Sequence, residues 1–177
     1  MFKQKIDDEL QLVFLHPALA EELYNLVDKN RDYLTKWLAF PPLTKSVDDI
    51  REFIKRSVSG FGDGTCLVCG IQKESKLIGL ISFNKISQSL KKVEIGYWLA
   101  EEHQGHGIMF RACNTMIKHA FNEMGIQKIE IRAASENNNS RQVCKKLGLT
   151  LEGIISHCEN LHGEIIDHAF YGLLKAT

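Results

Sequence analysis

The six residues Gln104-Gly105-His106-Gly107-Ile108-Met109 combine two glycines separated by one residue with the first apolar residues of a helical stripe. Such a pattern suits capture of a phosphate by main chain. Glycine frees the backbone to turn tightly. The first N–H groups of a helix lack internal acceptors and lie at the positive end of its dipole, an arrangement that favours a diphosphate. Before the loop, Val93, Ile95, Tyr97 and Leu99 alternate with Glu94, Gly96, Trp98 and Ala100, the period of a strand. After it, Met109, Ala112, Cys113, Met116, Ile117, Ala120, Phe121 and Met124 recur at helical spacing, with Arg111, Asn114 and Lys118 off that stripe. Two other phosphate motifs fail on residues. No Gly-Lys-Ser/Thr follows Gly107, as a Walker loop needs, and the third glycine of a dinucleotide fingerprint is missing. Alone, the two glycines fit an ordinary strand-to-helix connection equally well.

The order Gln104-x-x-Gly107-x-x resembles the pyrophosphate loop (Gln/Arg-x-x-Gly-x-Gly/Ala) of the GCN5-related N-acetyltransferase (GNAT) superfamily. A second segment resembles the same superfamily. Ile129 to Ala134 reads as a strand, followed by Asn137-Asn138-Asn139-Ser140, a helical run and Lys146-Leu147-Gly148-Leu149, with Leu149 where relatives carry Phe. The Trp37-Leu38 element, Gly96-Tyr97-Trp98-Leu99, Gly107-Ile108-Met109 and the Glu159 region are more narrowly similar to its ribosomal-protein N-terminal acetyltransferase (RimJ/RimL) branch. Met109 departs from the Gly or Ala of the wider superfamily. Its place on the apolar stripe points its side chain toward the core.

The resemblance implies acetyl-CoA as cosubstrate, held by the strand edge at Trp98, Leu99 and Ala100, by the loop Gln104, Gly105, His106, Gly107, Ile108 and Met109, and by Asn137 and Ser140. Beside a diphosphate, the His106 imidazolium would be favoured. Glu159 becomes the candidate base, with His157 and His162 close by in sequence, and Ser140 the candidate acid for the departing thiolate. Where many relatives place a tyrosine acid one turn after Ser140, this chain has Cys144. Trp37, Phe40, Trp98 and His157 are expected at the acceptor cleft, and a homodimer is expected from the branch. An α-amine of pKa about 8 costs only about 1.4 kcal/mol to present neutral at pH 7, against about 4.6 for a lysine, so a protein N-terminus suits a modest base. A small amine (polyamine, amino acid or aminoglycoside) is the alternative acceptor, and a non-catalytic acyl-CoA sensor the alternative function.

The elements that must position these groups follow from the rest of the chain. At 177 residues it fits one domain, 1–177. Lys+Arg and Asp+Glu both number 22, giving a formal charge of zero without the basic excess of a nucleic-acid scaffold. No apolar run is long enough to span a bilayer and no signal-peptide pattern opens the chain, so a cytoplasmic protein is expected. Five cysteines without repeated spacing fit a reducing compartment, and the Cys66-x-x-Cys69 pair, in an apparent strand, fits structural roles better than a metal site. A strand (10–15) and a helix opening at Pro17 lead to a second helix capped by Ser46 and ended by Gly60, Gly62 and Gly64. Strands 65–72, 77–85 and 92–100 form a meander. The loop and long helix return to a parallel strand at 128–134. A helix at 139–147 and strands 151–158 and 165–174 complete an α+β fold. The resemblance implies a mixed, mostly antiparallel seven-stranded sheet, a splayed central parallel pair and about four flanking helices.

Overall fold

Period-two alternation over short polar turns produces one continuous sheet in the computed structural model, which describes residues 3–176. Its strands are β1 (Lys3–Lys5), β2 (Leu10–Phe14), β3 (Leu67–Lys73), β4 (Lys76–Ser87), β5 (Lys92–Leu99), β6 (Lys128–Ala134), β7 (Thr150–Leu161) and β8 (Glu164–Leu174). They lie in the order β1-β2-β3-β4-β5-β6-β8-β7. Among the described strands, only β5 and β6 run parallel. The strand beyond the expected seven is β1, a three-residue polar edge whose Lys-Gln-Lys carries no apolar alternation to read. The helices are α1 (Ala20–Lys29), α2 (Arg31–Thr35), α3 (Val47–Gly62), α4 (Ile108–Asn122) and α5 (Asn138–Lys146). At five residues, α2 is too short to show a helical period.

Local chemistry sets the boundaries. Ser46 and Asp49 form a capping box at the start of α3, satisfying donors that the first turn leaves free. Gly60 and Gly62 remain helical, so the helix outruns the expected stop, and the chain leaves it at Gly64, where φ is +68°. The β3–β4 hairpin turns through Glu74 and Ser75, both at positive φ, as a tight primed turn requires.

Two apolar clusters cover the two faces of the sheet. On one, Ile71, Ile81, Phe83, Val93, Ile95, Ile129 and Ile131 pack against α4 through Ile108, Ala112, Cys113, Met116 and Ala120. On the other, Val13, Leu15, Leu77 and Leu80 meet Leu23 and Val27 of α1 and Ile50 and Ile54 of α3. The parallel pair is held at one end only. Register runs from Lys92↔Lys128 to Ile95↔Ile131 and stops, although both strands continue, so β5 and β6 splay. The paired end carries a charge network: Glu130 meets Lys92 at 2.9 Å and Lys128 at 3.4 Å, and Lys128 reaches Glu152 of β7 at 2.8 Å. Among the described residues, no helix is long and apolar enough to cross a membrane.

Candidate active site

A cavity of about 630 Å³ opens where β5 and β6 part, within the range of small-ligand sites. Because side chains alternate across a strand, its lining comes from both faces of the sheet. Tyr97, Met109, Ser140 and Val143 line it on the α4–α5 side, and Trp37, Phe40, Trp98, Glu159 and His168 on the other. The splay therefore joins two half-sites through the sheet.

Register decides which β5 donors face the gap. The Ala100 N–H donates to Ile78 O at 2.8 Å, so Ala100 points its amide toward β4. By the alternation of an antiparallel ladder, Trp98 does too, whereas Tyr97 and Leu99 aim theirs toward β6. There β6 no longer pairs with them. The Leu99 carbonyl, on the same side, accepts from Gln104 Nε2 at 3.0 Å. The edge open to a ligand arm is thus formed by Tyr97 and Leu99. Ala100 is fully buried with its donor spent. Unpaired ladder groups inside a sheet favour a ligand that can bond them.

At the loop, Gly105 and Gly107 both take positive φ, +80° and +68°, and Gly107 caps α4. The N–H groups of Gly105, His106, Gly107 and Ile108 have no acceptor among the described residues. Such a row of free amides at a helix start fits a diphosphate. Met109 is buried in the core and touches the cavity, so its bulk does not crowd the amides. His106 is exposed beside them.

Asn137 caps α5 by accepting the Ser140 N–H at 3.1 Å, leaving the Asn137 amide nitrogen free. Ser140 is therefore in the first turn, and its hydroxyl lies 2.9 Å from that of Tyr97. Burial, with a smaller contribution from the nearby thiols of Cys113 and Cys144, pushes the Tyr97 hydroxyl well above its ordinary range. Burial also pushes the Cys144 thiol up to about 11. Both stay protonated, and Tyr97 rises from β5 into the neighbourhood that a tyrosine at position 144 would have served. Sequence reasoning did not single out Tyr97 as a site residue. A lone hydroxyl in the buried stripe Val93, Ile95, Tyr97, Leu99 was the available signal.

On the opposite face, β7 and β8 lose register between Ile155 and Glu159, three β7 residues standing against Asp167 alone. His157, at φ +57°, turns this bulge, its N–H held by Asp167 Oδ1 at 3.1 Å. The detour brings Glu159 into the cavity, 3.0 Å from His168 Nε2, as bulges commonly re-aim a side chain. The histidine beside Glu159 is thus His168, and His157 is exposed and does not line the cavity. His162 lies 3.1 Å from Thr35 O and 3.2 Å from Leu38 O, tying the hairpin tip to the segment that carries Trp37. Phe40 packs 6.2 Å from Trp98, centroid to centroid. Nearby, Glu94 pairs with Arg132 at 3.1 Å, and the Arg132 guanidinium lies 4.6 Å over Phe170.

A sequence profile described as the Acetyltransferase (GNAT) domain matches residues 9–150. The ribosomal-protein-serine acetyltransferase of Escherichia coli (strain K12) is 34% identical over 172 residues, 92% of this chain and 96% of that protein. Among solved structures, the RimL ribosomal L7/L12 α-N-protein acetyltransferase in complex with coenzyme A superposes with a TM-score of 0.95 at 26% identity, covering 98% of both chains. The microcin C7 self-immunity acetyltransferase MccE in complex with acetyl-CoA and AMP gives 0.93 at 31% identity, covering 97% of this chain and 95% of that one.

Proposed function

Because the chain belongs to the GNAT acetyltransferase family and so transfers acetyl from acetyl-CoA to an amine nitrogen, we propose that its acceptor is the α-amino group of a protein N-terminus. The observation that carries this reading is the sparse negative charge of the acceptor side, where Glu94 is neutralised by Arg132 and Glu159, bonded to His168, is the one carboxylate left. A polycation would call for several free carboxylates, whereas a peptide end needs a cleft of low charge with one proton acceptor. Trp37, Phe40 and Trp98 form its apolar wall. The relatives named for ribosomal proteins support an acceptor of that kind.

When bound, acetyl-CoA supplies an activated acyl carbon. The amides of Gly105 to Ile108, with His106 beside them, hold its diphosphate, and the Tyr97 and Leu99 main chain with the Asn137 amide hold its arm. Met109 backs the loop from the core. The Leu99 N–H receives the developing oxyanion, a contribution that grows in a site from which water is excluded. With the Tyr97 hydroxyl donating to Ser140, at Oγ or at the carbonyl, the Ser140 proton would be free for the departing thiolate. Glu159 belongs to the end that takes the amine proton. A homodimer is proposed too. β7 is an edge strand, and Leu151, Ile154, Ile155 and Ile165 of the β7–β8 hairpin are exposed, as apolar patches at interfaces are.

Thiol release with acetyl-CoA and a panel of N-terminal peptides, polyamines, amino acids and aminoglycosides tests the acceptor. Peptides are expected to be turned over fastest; turnover of a small amine alone would replace this reading, and coenzyme binding without release under any acceptor would favour a sensor. Glu159→Gln and Ser140→Ala should each lower kcat by about 10²-fold with coenzyme affinity unchanged, the signature of groups acting in the transition state.

A further inference from the structure

We propose that the atom receiving the amine proton is Nδ1 of His168, and that Glu159 is the positioning residue that holds the ring for it. The inference rests on the acetyl-transfer reading of the cavity. Glu159 Oε2 lies 3.0 Å from His168 Nε2. A carboxylate at that nitrogen favours the neutral tautomer protonated on Nε2, which leaves Nδ1 as a free lone pair. Among the described residues Nδ1 has no hydrogen-bond partner. Both side chains line the cavity, and both are partly exposed to solvent, His168 by 19% and Glu159 by 31%.

The surroundings leave few other acceptors. Glu94, facing from β5, is paired with Arg132 of β6. Asp167, the neighbour on β8, accepts the His157 N–H and is absent from the cavity lining. Burial raises the hydroxyls of Tyr33 and Tyr97, so they remain protonated. Cys158 bonds to the Ile155 carbonyl. A carboxylate ordinarily titrates near 4.3 and an imidazole near ~6.5, so an imidazole lies much closer to an α-ammonium near ~8 and takes its proton with less penalty.

The step balances as follows. The acceptor ammonium gives one proton to Nδ1, from which it passes to solvent. The freed nitrogen lone pair attacks the thioester carbon, the C–N bond forms and the C–S bond breaks with its electron pair on sulfur. The second proton lost by nitrogen balances the one that sulfur receives through Ser140.

Two measurements test the assignment. In kcat at saturating substrates between pH 5.5 and 8.5, the full-length enzyme should show a single-proton acid limb. His168→Gln should lose the limb and about 10²-fold or more of kcat with coenzyme affinity unchanged. Glu159→Gln should keep the limb at a reduced rate. ¹⁵N spectra of the imidazole should place the neutral ring's proton on Nε2 in the native protein and show mixed tautomers in Glu159→Gln. Wild-type kcat in His168→Gln, a limb that survives that substitution, or a neutral ring protonated on Nδ1 would each overturn the proposal. If no amine is turned over at all, the acetyl-acceptor reading fails, and the tautomer alone decides for or against the Glu159–His168 arrangement.

Discussion

Tyr97 and Ser140 are 43 positions apart, yet their hydroxyls meet at 2.9 Å. Burial, which holds the Tyr97 hydroxyl and the Cys144 thiol in their protonated forms, makes this end of the cavity a fixed donor that does not change state across neutral pH. An acid limb in the rate is therefore not expected from this end, and belongs to the acceptor amine and the groups that receive its proton. Tyr97→Phe removes the donor to Ser140 while keeping the ring in the core. It should cost about 1 kcal/mol of stability, the net value of one hydrogen bond, and lower kcat about tenfold with coenzyme affinity retained. Denaturant titration and steady-state kinetics check the two effects, and unchanged kcat would remove Tyr97 from the acid end.

At the scale of elements, the site exists because β5 and β6 pair at one end and part at the other. Glu130 anchors the paired end. Burial alone would raise its carboxyl, but its bonds to Lys92 and Lys128 outweigh that and hold it below its ordinary value. A group depressed in the folded state gives stability that is complete above the unfolded value, near ~4.3, and is lost as pH falls through the folded one. Stability should accordingly drop in acid, below about pH 4.5. Glu130→Gln should lose about 2 kcal/mol at neutral pH and show a shallower acid decline, read from urea midpoints at several pH values. Equal acid slopes in the two proteins would assign the loss to other carboxylates.

For the whole molecule, the cavity runs through the sheet, so on the proposed reading coenzyme and acceptor would arrive from opposite faces and neither half-site would be complete alone. The helices follow this division, with α4 and α5 backing the Ser140 side and α1 and α3 the other. The β7 edge is uncovered and, unlike the polar β1 edge, carries exposed apolar side chains. Ile155, 50% exposed, is the last paired residue before the bulge that aims Glu159 inward, so a partner at this edge would also steady the acceptor end. Ile155→Glu is expected to yield monomers in sedimentation while the wild-type chain sediments as a dimer. A monomeric wild type would dismiss the interface.

Sequence alone determined what is local. The strand alternation through Leu99, the α4 stripe beginning at Ile108 and Met109, the Ser46 cap and the glycines at 105 and 107 each follow from periodicity, from a side chain reaching its own backbone, or from a need for positive φ. The resemblance carried by the loop and the Asn137–Ser140 segment added the family and the coenzyme. Tertiary structure alone decided three matters. Which β5 amides face the splay depends on pairing with β4, since Ala100 turns its N–H to Ile78. Ser140 acquired its hydroxyl partner from a strand in another part of the chain. Glu159 acquired His168 in place of His157 because three β7 residues bulge against one on β8. Periodicity reports which face of an element is buried; register, bulges and the meeting of distant side chains depend on the partner strand, which no local pattern contains.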